Sequence, residues 1–254
     1  VSKQPLEIIY QDNYLVAINK PHGLLVHRTK IATETDVFAL QLLRDQLGQR
    51  VYPVHRIDRK TSGVLLFALD EENNSKTTAL FRDQQIEKTY LAIVRGFTDS
   101  EGTIDYALRK ESGKLQESLT HYKTLAQTEI PVPLGKFETS RYSLVEVKPE
   151  TGRMHQIRKH LAHIHHPIIA DRPHGCNKQN KLFKEKWGMD SMLLHAKEVK
   201  FKHPVTQENL TIKANISSEF ERTLSFLNFD TNIFQENFSK VLNFGKVKRN
   251  NSIY

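Results

Sequence analysis

The chain has 254 residues, 38% hydrophobic and 26% charged, and its 37 Lys and Arg against 29 Asp and Glu give a formal charge of +8 and a pI near 9.4. This is an ordinary soluble composition with chain enough to bury a core. The single Cys176 excludes an intrachain disulfide framework, and no run of about 18 apolar residues offers a membrane helix. The expected setting is the cytoplasm, and the basic balance agrees with a polyanionic partner.

In chain order, Leu6 to Tyr10 and Tyr14 to Asn19 read as strands joined by Gln11-Asp12-Asn13, a hairpin signal. Asp36 to Leu47 predicts a helix, because Leu40, Leu43 and Leu47 share one face and Gly48 stands where a helix C-terminus favours glycine. The stretch His55-Arg56-Ile57-Asp58-Arg59-Lys60-Thr61-Ser62-Gly63 leads into the apolar run Val64-Leu65-Leu66-Phe67-Ala68. A second helix is expected over Ser75 to Asp83. Tyr90 to Val94 reads as a strand; with Leu91 and Ile93 facing the core, Tyr90 takes the other face. Strands at Ser118 to Leu125 and Tyr142 to Val147 flank a long Pro- and Gly-punctuated connection, Gln127 to Arg141. Ile157, His160, Leu161 and Ile164 have helical spacing, with Arg158 beside that stripe. Lys178, Lys181, Lys184 and Lys186 form a basic stripe past an Asp171-to-Gly175 turn, and Val199/Phe201 and Leu210/Ile212/Ala214 alternate as another hairpin. Many strands with few helices predict an α+β fold on a mostly antiparallel sheet. Residues 1–226 read as one domain. Residues 227–254 read as an Asn-rich tail in which Phe234, Phe238, Val241 and Leu242 allow one docked helix.

The chemistry concentrates at Asp58. Cations beside a carboxylate favour its charged form, and an ionised, positioned carboxylate serves as nucleophile or general base. The bland alternative is a surface turn with an ordinary ion pair. His155, His160, His163, His165 and His166 cluster around one predicted helix, but the five-residue step from His155 to His160 puts those rings on different faces and no Glu accompanies them. Phosphate contact or helix-end packing is therefore expected over a metal site. The sequence has no P-loop, dinucleotide fingerprint or paired-cysteine zinc spacing, so no cofactor is expected.

Four ordered segments resemble the RluA-type pseudouridine synthases: Asn19-Lys20-Pro21-His22-Gly23-Leu24-Leu25-Val26-His27, the stretch from His55 to Gly63, Lys88-Thr89-Tyr90, and Gly152-Arg153-Met154-His155-Gln156-Ile157-Arg158-Lys159-His160-Leu161. Met154 stands where Thr is common in that family. The resemblance runs from about Leu6 to about Ile216. It implies a pseudouridine synthase catalytic domain with a mixed, mostly antiparallel central sheet, flanking helices and a central cleft, here without the N-terminal S4-like module that many such enzymes carry. By the same match Asp58 is the essential aspartate, acting either on the ribose directly or in elimination there. Arg158 is the arginine that pairs with it and orients it bidentately, and Tyr90 is the ring that stacks on uracil. Arg56 is the arginine that enters the space left by the flipped nucleotide. Lys20, Arg59, Lys88, Arg153, Lys178 and Lys181 are expected as further RNA contacts, Lys20 through a phosphate; His55 and Thr61-Ser62-Gly63 are expected to be structural.

Finer runs resemble the tRNA pseudouridine synthase C branch: Ser118-Leu119-Thr120-His121-Tyr122, Glu129-Ile130-Pro131-Val132-Pro133-Leu134-Gly135, Thr139-Ser140-Arg141-Tyr142 and Met192-Leu193-Leu194-His195-Ala196. That branch implies a tRNA substrate, modified at the T-stem uridine of tRNA position 65. The alternatives are an rRNA isomerase of the same family and an RNA-binding or tRNA-folding factor that keeps the fold without the chemistry. A monomer is expected, since no strong hydrophobic stripe is left over.

Overall fold

The computed structural model describes residues 5–27, 37–189 and 191–229. In order these form β1 (Ile8–Gln11), β2 (Leu15–Lys20), α1 (Ala39–Leu47), β3 (Tyr52–Pro53), β4 (Ser62–Ala68), α2 (Glu71–Arg82), β5 (Glu87–Arg95), β6 (Glu101–Asp105), β7 (Leu108–Arg109), β8 (Leu115–Gln116), β9 (Leu119–Ile130), β10 (Ser140–Pro149), α3 (Gln156–His163), α4 (Asn177–Trp187), β11 (Leu194–Lys202), β12 (Asn209–Lys213) and α5 (Ser218–Phe226). Ten strands make one sheet in the order β1-β2-β4-β11-β5-β10-β9-β6, with β12 added to β11 and β3 to β4; β7 and β8 form a separate ribbon. Every pairing is antiparallel except β4 with β11, which run parallel through Ser62 and Gly63. The α+β fold and the mixed, mostly antiparallel sheet are as the sequence predicts.

Local chemistry explains the boundaries. The Asp12 carboxylate accepts from the N–H groups of Tyr14 and Leu15, both at 2.7 Å, and so makes the first hairpin turn. Gly48 caps α1 in the left-handed region at φ 67°. Helix α1 begins at Ala39; its expected start at Asp36 lies outside the described residues. Helix α2 begins four residues before the expected Ser75, because Asp70 accepts from Asn73 N and Glu71 and Glu72 occupy the positive first turn.

Two element limits differ from the sequence reading. The connection from Gln127 to Arg141 is shorter than expected: β9 and β10 extend into both of its ends, pairing Ser143 with Gln127 and Ser140 with Ile130, which leaves a hairpin loop over 131–139. Its polar alternation suits a pair of strands with one exposed face. The core also passes the expected boundary at residue 226. Phe226 stacks on Trp187 at 4.5 Å, and Leu227 and Phe229 are buried. The predicted tail helix through Phe234 to Leu242, and Lys246, Lys248 and Arg249, lie outside the described residues.

Three apolar clusters fill the fold. One joins α3, α4 and α5 to β5 and β10, one joins α1 to β2 and β4, and one lies under α2 and β12. Tyr90 packs against the first two. The centre of the sheet is thus a seam between two helix-covered halves, and the loop before β4 meets the start of α3 there. Among the described residues no helix is long and apolar enough to cross a membrane.

Candidate active site

At that seam is a cleft of about 460 Å³, lined among others by Arg56, Ile57, Asp58, Lys88, Tyr90, Arg153, His155, Arg158 and Leu194. The volume suits one small ligand. The loop bearing Asp58 is pinned from several sides. Thr61 N donates to Asp58 O at 3.0 Å, and Gly23 N and Arg59 O bond at 2.9 Å. Arg59 Nε donates to Gly23 O at 2.9 Å. His55 Nε2 accepts from Leu66 N at 3.0 Å while its ring stacks on Phe81, and burial pulls its pKa down to about 3, so it is neutral. Ser62 Oγ meets the buried His195 Nδ1 at 2.9 Å. At Gly63, φ is 106° and a Cβ would strike the backbone of Ala196. His55 and the Thr61-Ser62-Gly63 turn are therefore structural, as the sequence suggests.

Lys20 lies behind the Asp58 loop. Its ammonium is buried and donates to the carbonyls of Leu24 (2.8 Å), Pro21 (2.9 Å) and Arg59 (3.1 Å). An ammonium has three donors, and here all three go to carbonyls around the Asp58 loop. Burial pulls its pKa down to about 7, against the opposing pull of Asp58.

Asp58 Oδ2 accepts from Arg158 Nη1 at 2.8 Å. The bidentate partner of Arg158, however, is Asp171: Nε and Nη2 donate to its two oxygens, each at 2.8 Å. The expected bidentate grip on Asp58 is thus a single bond, because the fork of the guanidinium is occupied from below. Asp171 is 1% exposed and Arg158 5%. Burial disfavours the charged arginine, but Asp171 first and Asp58 second hold its pKa above the ordinary range. The result is a fixed cation with one N–H aimed at Asp58. Asp171 was legible only as a turn residue, although a carboxylate ending the apolar run Ile168-Ile169-Ala170 is a signal for a buried, paired acid.

His155 and Gln156 complete the wall. His155 has φ 57°, and its Nε2 is 3.9 Å from Asp58 Oδ1 while its Nδ1 shares a 2.9 Å hydrogen bond with His174 Nε2. Burial lowers the pKa of both rings. The buried Gln156 accepts from Thr151 Oγ1 and Arg153 N and donates to Leu119 O, fixing the turn that carries Arg153. Burial, then Asp58, push the Tyr90 phenol well above its ordinary pKa, so it stays protonated.

The other expected RNA contacts divide. Arg56 is exposed on the cleft wall. Lys88 and Arg153 line it, tethered to carbonyls: Lys88 Nζ donates to Glu150 O at 3.1 Å and Arg153 Nε to Glu117 O at 3.1 Å. Burial pulls the Lys88 pKa down to about 8. Arg59 is exposed beside the loop without lining the cleft. Lys178 and Lys181 are on α4, outside the cleft, and Lys181 approaches Glu185 at 3.7 Å. Among the described residues no three His, Cys, Asp or Glu are disposed to hold a metal ion; His160 instead meets Tyr106 O at 3.0 Å inside the fold.

Residues 14–163 match the RNA pseudouridylate synthase family. The chain is 48% identical over 236 residues to the tRNA pseudouridine synthase C of Vibrio parahaemolyticus serotype O3:K6 (strain RIMD 2210633), covering 89% of this chain and 96% of that one. It is 47% identical over 231 residues to the protein of the same name from Yersinia pestis, covering 87% and 90%. Among solved structures, human RNA pseudouridylate synthase domain containing 4 superposes with a TM-score of 0.68 at 26% identity, over 87% of this chain and 93% of that chain. With three of the four motifs lining one cleft, the first packed behind its Asp58 loop, and likeness across nearly the whole length, the chain belongs to the RluA-type RNA pseudouridylate synthase family, whose members are isomerases.

Proposed function

We propose that this chain converts uridine to pseudouridine in tRNA, at the T-stem uridine of position 65, with Asp58 as the reacting carboxylate. The observation that carries the reading is Asp58 held by a buried, doubly anchored Arg158 in a cleft that also contains Tyr90. The tRNA preference is supported by the names of relatives 41% to 48% identical over most of the chain.

The reaction breaks the N1–C1′ bond, turns the uracil in place and joins C5 to C1′. The C5 proton is lost and N1 gains one, so the product is an isomer and no external oxidant, reductant or energy source enters. Arg158 engages Asp58 Oδ2, and Oδ1, 3.9 Å from His155 Nε2, is the oxygen left to act at the ribose. Pre-organised charge of this kind requires little rearrangement at the moment of reaction. Tyr90 offers a neutral aromatic face to the uracil. Extracting the base costs a few kcal/mol of unpairing and unstacking, and Arg56 at the cleft wall is placed to fill the gap it leaves. Arg59, Lys88 and Arg153 supply positive charge around the mouth for the RNA backbone. The enzyme acts as a monomer in the cytoplasm.

The test is to map pseudouridine after incubating the purified protein with unmodified tRNA and with 23S-type rRNA. A single new site at tRNA position 65 is expected. Modification of rRNA with every tRNA left untouched would overturn the substrate assignment.

A further inference from the structure

A second groove, of about 950 Å³, shares no lining residue with the catalytic cleft. Its walls are the end of β5 (Arg95, with Gly96 and Phe97 beyond it), the hairpin over 131–139 with Arg141, and the first turn of α4 with Lys178. Two large aromatics stand out of the core here, Phe97 at 40% exposure and Phe137 at 57%. Each has a cation over its ring: the Arg141 guanidinium 5.2 Å from the centroid of Phe97, and Lys136 Nζ 5.5 Å from that of Phe137. The hairpin is a built structure. Leu134 and Phe137 bond across its tip, Ser140 Oγ donates to Val132 O, and Thr139 Oγ1 donates to Glu129. Tyr142 OH donates to Gln179 Oε1 at 2.8 Å and ties the hairpin strand to α4.

The lining carries Arg95, Lys136, Arg141 and Lys178 against a single carboxylate, Glu138. Exposed aromatic faces interleaved with cations suit unpaired nucleic acid, whose bases stack on the rings while its phosphates meet the cations. Arg141 is already paired with Glu129 at 3.1 Å, and an apolar peptide would offer no anion to Arg95, Lys136 and Lys178. The groove also lies near the catalytic machinery. From Asp171 the chain turns directly into α4, where Asn180 donates to Asp171 O on one side and Lys178 and Gln179 face the groove on the other. Tyr90 lies near the middle of β5 and Arg95 at its end, about 17 Å apart along the strand. One flipped nucleotide cannot span that distance, but a folded RNA can.

We propose that this groove is a second RNA-binding site, which holds an unpaired segment of the substrate away from the target stem. The inference rests on the reading of tRNA as substrate. It gives Lys178 a role that its absence from the cleft leaves open, and it makes Phe97, Phe137, Lys136 and Arg141 determinants of substrate choice.

The experiment compares the full chain with the double variant Phe137→Ala/Lys136→Glu, both positions at the exposed hairpin tip, and with Phe97→Ala. Affinity is measured for whole tRNA and for a stem-loop reduced to the target stem. Affinity for whole tRNA should fall about tenfold or more, affinity for the stem-loop should hold within about twofold, and the steepness of the salt dependence should decrease only with whole tRNA. Turnover on the stem-loop should match wild type, and melting curves should show the hairpin-tip variant folded. Unchanged affinity for whole tRNA, or equal loss on both RNAs, would overturn the proposal. Self-association that the variants abolish while tRNA affinity stays fixed would also overturn it, making the groove an interface between copies. A wild-type protein that isomerises no uridine while its variants still lose tRNA affinity would sink the catalytic reading and keep the groove.

Discussion

Replacing Asp171 by Asn removes the charge beneath Arg158 and leaves the shape almost unchanged. In the native site Asp171 accepts two of the three close bonds of the guanidinium, each at 2.8 Å, with both side chains almost wholly buried. Hydrogen bonds to charged groups contribute about 1.5–3 kcal/mol each, and removing one member of a buried ion pair costs about 3–5 kcal/mol. Asn retains one acceptor, which places the expected loss near the low end, about 3 kcal/mol. For a domain of this size that lowers Tm by about 6–12 °C. Turnover should fall further than stability alone implies, because Arg158 loses the anchor that aims Nη1 at Asp58 and a misplacement of about 1 Å costs roughly a hundredfold. Urea unfolding gives the first quantity. Uridine isomerisation at saturating tRNA gives the second, and tRNA affinity should stay near wild type. A stability loss below about 1 kcal/mol with turnover within about twofold of wild type would refute the role assigned to Asp171.

Three further outcomes are expected. Gly63→Ala places a methyl group against the Ala196 backbone at φ 106°; overpacking and left-handed strain together should cost about 3 kcal/mol or more, and a wild-type melting temperature would contradict this. Tyr90→Phe should keep kcat/KM within several-fold of wild type, whereas Tyr90→Leu should lose tenfold or more as the stacking face disappears; equal losses in the two variants would shift the role of Tyr90 from its ring to its hydroxyl. Burial depresses the pKa of His195 to about 4 and of His55 to about 3, against about 6.5 in the unfolded chain. Between those values the unfolded state binds more protons, so stability is present above about pH 6.5 and is lost as pH falls toward 4, by up to about 1.4 kcal/mol per pH unit for each histidine. Urea midpoints from pH 7 to 4.5 should show this, with a shallower slope in His195→Gln; an identical slope in that variant would refute it.

What the sequence made legible is what local chemistry controls. Gly48, the Asp12 turn and the alternation in β11 and β12 announce themselves within a few residues, and the nine residues from His55 carry enough polar and small side chains to mark a built loop. Contacts remote in sequence stayed hidden. Asp171 pairs with Arg158 across a turn that reads as structural, and nothing beside Lys20 reveals that three carbonyls surround its ammonium. The strands through Gln127 and Ser140 were masked by prolines that belong only to the short hairpin between them. The buried Ser143 shows why polar residues suit those strands: it accepts from Thr98 N and donates to Gly96 O. Phe226 and Phe229 looked like tail residues because their partners, Trp187 and the rest of that core, come from α4 and the sheet.

The most direct measurement is tritium release from tRNA labelled at uridine C5, with wild type, Asp58→Ala and Asp58→Asn side by side and no metal or nucleotide added. Wild type should release tritium to the extent of one uridine per tRNA. Both variants should bind tRNA within several-fold of wild type and release none. Release by either variant at a rate near wild type would contradict the assignment of Asp58, and no release by wild type from any tRNA would contradict the isomerase itself.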